Sequence, residues 1–359
     1  MTLDDVANNP ACWLSGTGDQ EGIVVSCRAR LARNLEEVPF LTRASQRQRE
    51  DVVQRVLEAA KRSRLLRSAA YLPIAGLEPR HRRLLVERHL ISPALAEAEG
   101  ERGLLFSRDE SVSVMVNEED HLRLQVILPG LQPDEAWAQV NALDDSLGAG
   151  LTYAHSAKWG YLTACPTNAG TGLRVSVLVH LPGLVLSEDM ERVLRGLAQM
   201  SCTVRGFYGE GTNAAGNLFQ ISNQSTLGRT EEEIVQGLAE VTRQVIGFER
   251  EALRAVRSEA AHQVEDKVWR AYGLLSHARV LSSQEFMNLL SAVRLGRTLG
   301  LIPGLTSAFL NQLMVVTQPA HLQAAVGRDV DSDERDLRRA ALVRQRLAAL
   351  ASQPGSPRP

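Results

Sequence analysis

The chain has 359 residues, 44% of them hydrophobic, which is enough for a full core and, by length, about two domains. Its formal net charge of −2 gives no general attraction to nucleic acid or to an anionic membrane. No apolar run approaches the roughly 18 residues of a membrane helix, and the acidic opening MTLDDVANNP lacks the apolar stretch of a signal peptide. Cys12, Cys27, Cys165 and Cys202 lie far apart, with neither a CxxC zinc pair nor a disulfide framework, so a soluble, cytoplasmic protein is expected. Only Lys61, Lys158 and Lys267 among the 40 basic residues are lysine, so a single arginine carries little information here.

From the N-terminus, Ile23–Cys27 reads as a strand and Ala44–Arg62 and Glu78–His89 as amphipathic helices. Leu104–Phe106, Ser111–Val116 and His121–Leu128 read as strands, and Asp134–Ser146 as a helix. Strands are expected again at Leu151–His155, Gly160–Ala164 and Arg174–Leu181, a helix at Ser187–Met200, and strands at Cys202–Tyr208 and Asn217–Ser222. Many of these connections are too short for crossover helices, so the sheet is expected to be mainly antiparallel. Thr230-Glu-Glu-Glu233 forms a capping box for a long helix with a buried stripe at Ile234, Leu238, Val241, Val245 and Phe248. Beyond about residue 255 the strand signal ends. Ser282-Ser-Gln-Glu285 caps one helix, Asp333–Ala351 forms the last, and SQPGSPRP reads as a disordered tail. The fold class is α+β, a sheet flanked by helices followed by an all-helical region.

Four stretches carry chemistry. In VVSCRARLAR, Arg28 and Arg30 lie two apart on a strand and project to one face, where two guanidinium forks suit an oxygen-rich anion. Taken alone, they also fit a solvent-facing pair on an edge strand. In VNEEDHLRLQ, Glu118, Glu119 and Asp120 precede His121 and a strand bearing Arg123, although charges are seldom desolvated without partners. ACPTNAGTGLRVSV places Cys165 at the edge of a small-residue loop that lacks the lysine and following helix of a P-loop. Nearby arginines are expected to lower its thiol pKa, though the loop also fits a tight turn with a core cysteine. TVRGFYGEGTNAAGNLFQISN carries Arg205 into a glycine-flanked Glu210, either a lid over a site or a solvated hairpin tip. Together, Arg28, Arg30, Arg123, Arg174 and Arg205 suit a polyphosphate, and the acids suit a cation. A site holding both is suited to moving a phosphoryl group onto a positively charged acceptor.

CPTNAGT resembles the signature loop of the phosphagen (guanidino) kinases, NEEDHLR their acidic motif and SCRAR their first arginine pair. The likeness spans about Gly22 to Arg250, and YGEG followed by GNLFQISNQSTLGRTEEEI is similar to the bacterial branch of protein-arginine kinases. The resemblance implies a lead-in over 1–21, a catalytic domain over 22–255, a helical phosphoarginine-binding and dimerisation domain over 256–351, and a tail over 352–359. It implies ATP and Mg²⁺, with Arg28, Arg30, Arg123, Arg174 and Arg205 on the ATP phosphates and His89 against the nucleotide. Without the family, His89 is an ordinary helix-end histidine. Glu119 and Glu210 would grip the substrate guanidinium, Cys165 would sit beside it as a thiolate, and Glu118 would position Mg²⁺ through water.

Kinases of free arginine or creatine carry a helical N-terminal domain, for which the residues before Arg28 leave no room, so a protein substrate is expected. RDLRRA resembles the phosphoarginine-binding motif of the bacterial branch, placing Arg335, Asp336, Arg339 and Ala340 in a regulatory site. Taken alone it is a solvated, salt-bridged helix face. The resemblance further implies a homodimer, a zinc-binding activator protein, an AAA+ protease unfoldase downstream and a heat-shock repressor among the substrates. Cys27 stands where serine or threonine is common, Ala169 replaces a larger aliphatic residue, and Asn213 stands where an acid is frequent. The competing readings are a kinase of a free guanidino compound and a non-catalytic phosphoarginine-binding adaptor.

Overall fold

The computed structural model describes residues 3–206 and 215–351. Eight strands form one sheet: β1 (Val24–Arg33), β2 (Ala70–Pro73), β3 (Gly103–Phe106), β4 (Val112–Val116), β5 (Leu122–Pro129), β8 (Leu173–His180), β9 (Cys202–Gly206) and β10 (Leu218–Asn223). A separate hairpin pairs β6 (His155–Ser156) with β7 (Gly160–Tyr161). The sheet order is β2-β3-β4-β5-β1-β8-β10-β9, and every pairing is antiparallel. β1 is therefore a central strand, and Arg28 and Arg30 do not lie on an edge.

The period of two along each strand gives the sheet two different faces. Cys27, Ala29 and Leu31 join Leu124, Val126, Val175, Val177 and Ile221 in the main core. The helices Gln46–Arg62, Pro133–Gly148 and Glu231–Glu259 cover this face with Val52, Val56, Val140, Leu143, Leu238 and Val245. On the other face, Val25, Ile127, Leu178 and Leu218 belong to a second core built with Trp13 and the helices after residue 260. The helical region is thus packed onto one end of the face that carries Arg28 and Arg30 at its other end. A further clasp joins the two parts: Glu87 accepts from the Ala320 and His321 amides at 2.7 and 3.0 Å and from His321 Nδ1 at 2.7 Å.

Several expectations are corrected. Leu151–His155 and Gly160–Ala164 form only the two-residue strands β6 and β7, because the chain there turns sharply into the loop at Cys165. Gly160 packs so closely on Gly170 that a Cβ would lie 2.4 Å from the Gly170 carbonyl oxygen. β2 and the short helices Pro93–Glu97 and Pro182–Leu186 were not legible, and the helix expected over Ser187–Met200 is Met190–Gln199. In the long helix the buried stripe passes through Glu249, which is fully buried, while Phe248 is 46% exposed. Glu249 faces inward because it accepts from the Gly183 and Leu184 amides at 2.7 and 2.9 Å, at the start of Pro182–Leu186. No helix among the described residues is long and apolar enough to cross a membrane.

Candidate active site

Register alone gathers the arginines. Arg30 stands opposite Gln125 on β5 and Arg174 on β8, Arg28 opposite Ser176, and Arg205 opposite Gln220. These side chains share one face and line a cleft of about 780 Å³ together with His89, Glu119, Arg123 and Cys165. Arg28 donates to Gln220 Oε1 at 2.8 Å and Arg174 to Ser222 Oγ at 3.2 Å, whereas Arg30 Nε and Arg174 Nε are buried without partners. Burial, then the neighbouring Arg174 and Arg123, pulls the Arg28 guanidinium down to about 10, and burial, then Arg28, Arg123 and Arg174, lowers Arg30 well below its ordinary value. Unpaired donors in a concentrated positive field fit a polyphosphate.

His89 follows the helix Pro79–Glu87 in a left-handed conformation (φ 59°), and its carbonyl accepts from Gln125 Nε2 at 2.7 Å. Its ring meets Trp13 edge-on at 5.1 Å. Burial, then Arg28 and Arg30, holds its pKa at about 3, so the ring is neutral.

The acidic turn is locked from several sides. Glu118 is 9% exposed, and Oε2 pairs with Arg123 Nη1 at 2.8 Å and accepts from the Glu119 amide at 2.9 Å. Its other oxygen accepts from the Ser92 hydroxyl. Glu119 Oε2 pairs with Arg123 Nη2 at 2.9 Å and stands half-exposed at the cleft. In this state the acids and Arg123 are partners to one another. Burial raises the Glu119 carboxyl, reinforced by Asp120 and Glu118 and opposed by Arg123. Asp120 and His121 are fully buried: Asp120 Oδ1 accepts from Asn34 Nδ2 and the Ala164 amide, and His121 Nδ1 accepts from the Leu35 amide.

Cys165 precedes a short turn, Pro166–Asn168, with Sγ 3.0 Å from Thr167 Oγ1. Thr226 Oγ1 pins the loop from behind through the Thr167 and Ala169 carbonyls, at 3.0 and 2.6 Å. Arg33 pins its far end: 1% exposed, it pairs with Asp144 at 2.7 Å, donates to the Thr171 carbonyl at 2.9 Å and lies 3.5 Å over the Tyr161 ring. Sequence reasoning passed over Arg33, although its odd place in VVSCRARLAR sets it on the face opposite Arg28 and Arg30. Cys27 points into the core, where burial pushes its thiol up to about 12. Glu210 and Asn213 lie outside the described residues.

RDLRRA stands apart from the cleft. Arg335 donates to the Val330 carbonyl at 2.9 Å, and Asp336 pairs with Arg339 at 2.5 Å. Arg339 is 1% exposed and donates to the Thr317 and Leu281 carbonyls at 3.0 and 2.8 Å; Ala340 is fully buried. The motif is not a solvated face, since these carbonyls draw Arg339 inward. Gln318, next to Thr317, lines the cleft, a contribution from the helical region that no motif announced.

Residues 51–252 match the family model of the ATP:guanido phosphotransferase C-terminal catalytic domain, and residues 261–357 that of the protein-arginine kinase McsB C-terminal domain. The chain belongs to the protein-arginine kinase family. It is 47% identical over 348 residues to the protein-arginine kinase of Halothermothrix orenii, covering 97% of this chain and 99% of that one. With the Moorella thermoacetica protein-arginine kinase it shares 50% over 339 residues, 94% and 97% of the two chains. Lombricine kinase superposes with a TM-score of 0.58 at 26% identity, covering 71% of each chain. The duplicated taurocyamine kinase of Schistosoma mansoni gives 0.59 at 28%, covering 69% of this chain and 36% of that longer one. The kinase fold is therefore the phosphagen-kinase type, and the family works with ATP and Mg²⁺.

Proposed function

We propose that this chain transfers the γ-phosphoryl group of ATP to arginine side chains of proteins. The observation that carries the reading is the cleft itself, where five arginines gather beside Glu119 and Cys165 and the Nε groups of Arg30 and Arg174 are left without partners. Arg28, Arg30, Arg123, Arg174 and Arg205 would hold the phosphates in line for transfer, and His89, kept neutral, would pack on the nucleotide. A guanidinium, with a pKa above ~12, is a poor nucleophile until a carboxylate orients it and takes its proton. Glu119 suits that role because burial and its acidic neighbours raise its proton affinity. The P–N bond forms as the γ-phosphorus–oxygen bond breaks, with no covalent enzyme intermediate. Glu210 would be the second carboxylate, on family resemblance, with Cys165 beside the guanidinium. Mg²⁺ supplies charge neutralisation when bound. Glu118, whose oxygens are occupied by Ser92, Arg123 and the Glu119 amide, would reach it only through water.

The same resemblance supports domains meeting near residue 255, phosphoarginine binding at Arg335, Asp336, Arg339 and Ala340, and products that mark proteins for an AAA+ protease. It also supports a zinc-binding activator and a heat-shock repressor as substrate. A homodimer through the helical region is supported by exposed Leu274, Val280 and Leu337, the last two brought near each other by the Leu281 amide bonding to the Asp336 carbonyl. The deciding experiment is incubation with Mg-ATP and an unfolded protein, then mass spectrometry at neutral pH, because acid cleaves P–N bonds. Phosphoarginine is expected. Phosphate confined to serine, threonine or tyrosine would refute the assignment.

A further inference from the structure

Three stretches that are distant in sequence meet at one buried side chain, Asn34, the residue directly after β1. Asn34 is 1% exposed. Its Nδ2 donates to Asp120 Oδ1 at 2.7 Å and to the Leu162 carbonyl at 3.0 Å, and its Oδ1 accepts from the His121 amide at 2.9 Å. Its carbonyl accepts from the Ala154 amide at 2.8 Å. Asp120, fully buried, uses the same Oδ1 to accept from the Ala164 amide at 2.6 Å, while its Oδ2 is buried without a partner. The strand of phosphate-facing arginines, the acidic turn and the segment leading into Cys165 are thus tied to one another by two side chains. Neither side chain lines the cleft.

We propose that Asn34 and Asp120 are a positioning pair that sets the spacing between Glu119 and Cys165, and so the fit of the arginine substrate. Glu119 is the residue before Asp120, and Cys165 is the residue after Ala164. One carboxylate oxygen therefore links the two groups placed on either side of the guanidinium through a single charge-assisted hydrogen bond. Reacting groups displaced by about 1 Å lose on the order of a hundredfold in rate, so a link this short has leverage. Arg28, Arg30 and Arg174 are held by the register of β1 and β8 instead, so these three phosphate-side arginines do not depend on the pair.

This inference rests on the placing of Glu119 and Cys165 against the guanidinium. The test compares KM for an unfolded protein substrate with KM for ATP in Asp120→Ala, Asn34→Ala and Asp120→Asn, each first shown by thermal melting to be folded. The alanine variants are expected to raise KM for the protein at least tenfold with KM for ATP within threefold. Asp120→Asn keeps an oxygen acceptor for Ala164 and Asn34 and is expected within threefold of the parent on both. Parallel rises in the two KM values, an unaltered protein KM in Asp120→Ala, or an asparagine variant as impaired as the alanine one would each overturn the proposal. Should the alanine variants not fold, Asn34→Ser, too short to span Asp120 and Leu162 together, is read for the same split, and an even effect on both sides counts against the pair. Glu119→Gln and Cys165→Ser run beside them. If these leave arginine phosphorylation intact, the underlying placement fails and the pair with it. If they lose it while Asp120→Ala does not change, only the pair fails.

Discussion

Replacing Arg30 by methionine should stabilise the ligand-free protein while removing its response to nucleotide. Arg30 stands directly across from Arg174, two residues from Arg28, and within the field of Arg123, and its Nε has no partner. Directly opposed residues hold their Cβ atoms about 5 Å apart. With the charged ends splayed to ~7 Å and an effective dielectric near 20, each pair of unit charges repels by about 2 kcal/mol. Partial exposure, salt and the attraction of Glu118 reduce the sum over three neighbours, leaving on the order of 1–2 kcal/mol. Methionine keeps the apolar stem without the charge, so Arg30→Met should melt about 1–3 °C higher without ligand. The parent should gain ~2.7 kcal/mol from Mg-ADP at a hundred times Kd, and the variant far less. Melting curves with and without Mg-ADP measure both effects. A variant that melts several degrees lower without ligand, or keeps the parent's ligand shift, would refute the view that this face is strained until an anion arrives.

Burial lifts the Glu249 carboxyl from about 4.5 to about 7, so the folded chain binds this proton more tightly than the unfolded one. Its stabilising contribution is present below the lower value and lost as pH rises through 7. Urea unfolding of Glu249→Gln should therefore improve relative to the parent by ~2–3 kcal/mol between pH 5 and 8, and a pH-independent difference would contradict the assignment. Arg33→Met leaves Asp144 buried without its cation and frees the Thr171 carbonyl, an expected loss of about 3–5 kcal/mol in the same assay. A loss under about 1 kcal/mol would show that Arg33 does not hold the loop. Arg339→Met removes the bonds to the Thr317 and Leu281 carbonyls and to Asp336, and should cost about 2–4 kcal/mol. A neutral result would return Arg339 to the solvent-facing role that the bare sequence allowed.

The strand face was legible because alternation is a local signal. Once Arg28 and Arg30 share a face, the partners opposite them follow from pairing. Phe248 shows where the local signal stops: a 4-3-4-3 repeat cannot reveal that a carboxylate will be drawn inward by two free amides at Gly183 and Leu184. Arg339 illustrates the same limit, since the carbonyls it meets belong to residues 22 and 58 positions away. Asn34 carried no signal at all. Its importance lies in where three loops converge, and no spacing within any one of them encodes that.

The helices after residue 260 are not an appendage that can be trimmed away. A chain cut near residue 255 would bare Val25, Ile127, Leu178 and Leu218 on the sheet's second face and strip Glu87 of all three of its donors two positions before His89. Such a fragment would present a broad sticky sheet to solvent and loosen the wall of the cleft at Glu87 and His89 at the same stroke. Attempts to express the sheet-bearing part alone should yield aggregates, and a minimal enzyme must be sought by trimming loops within the full chain.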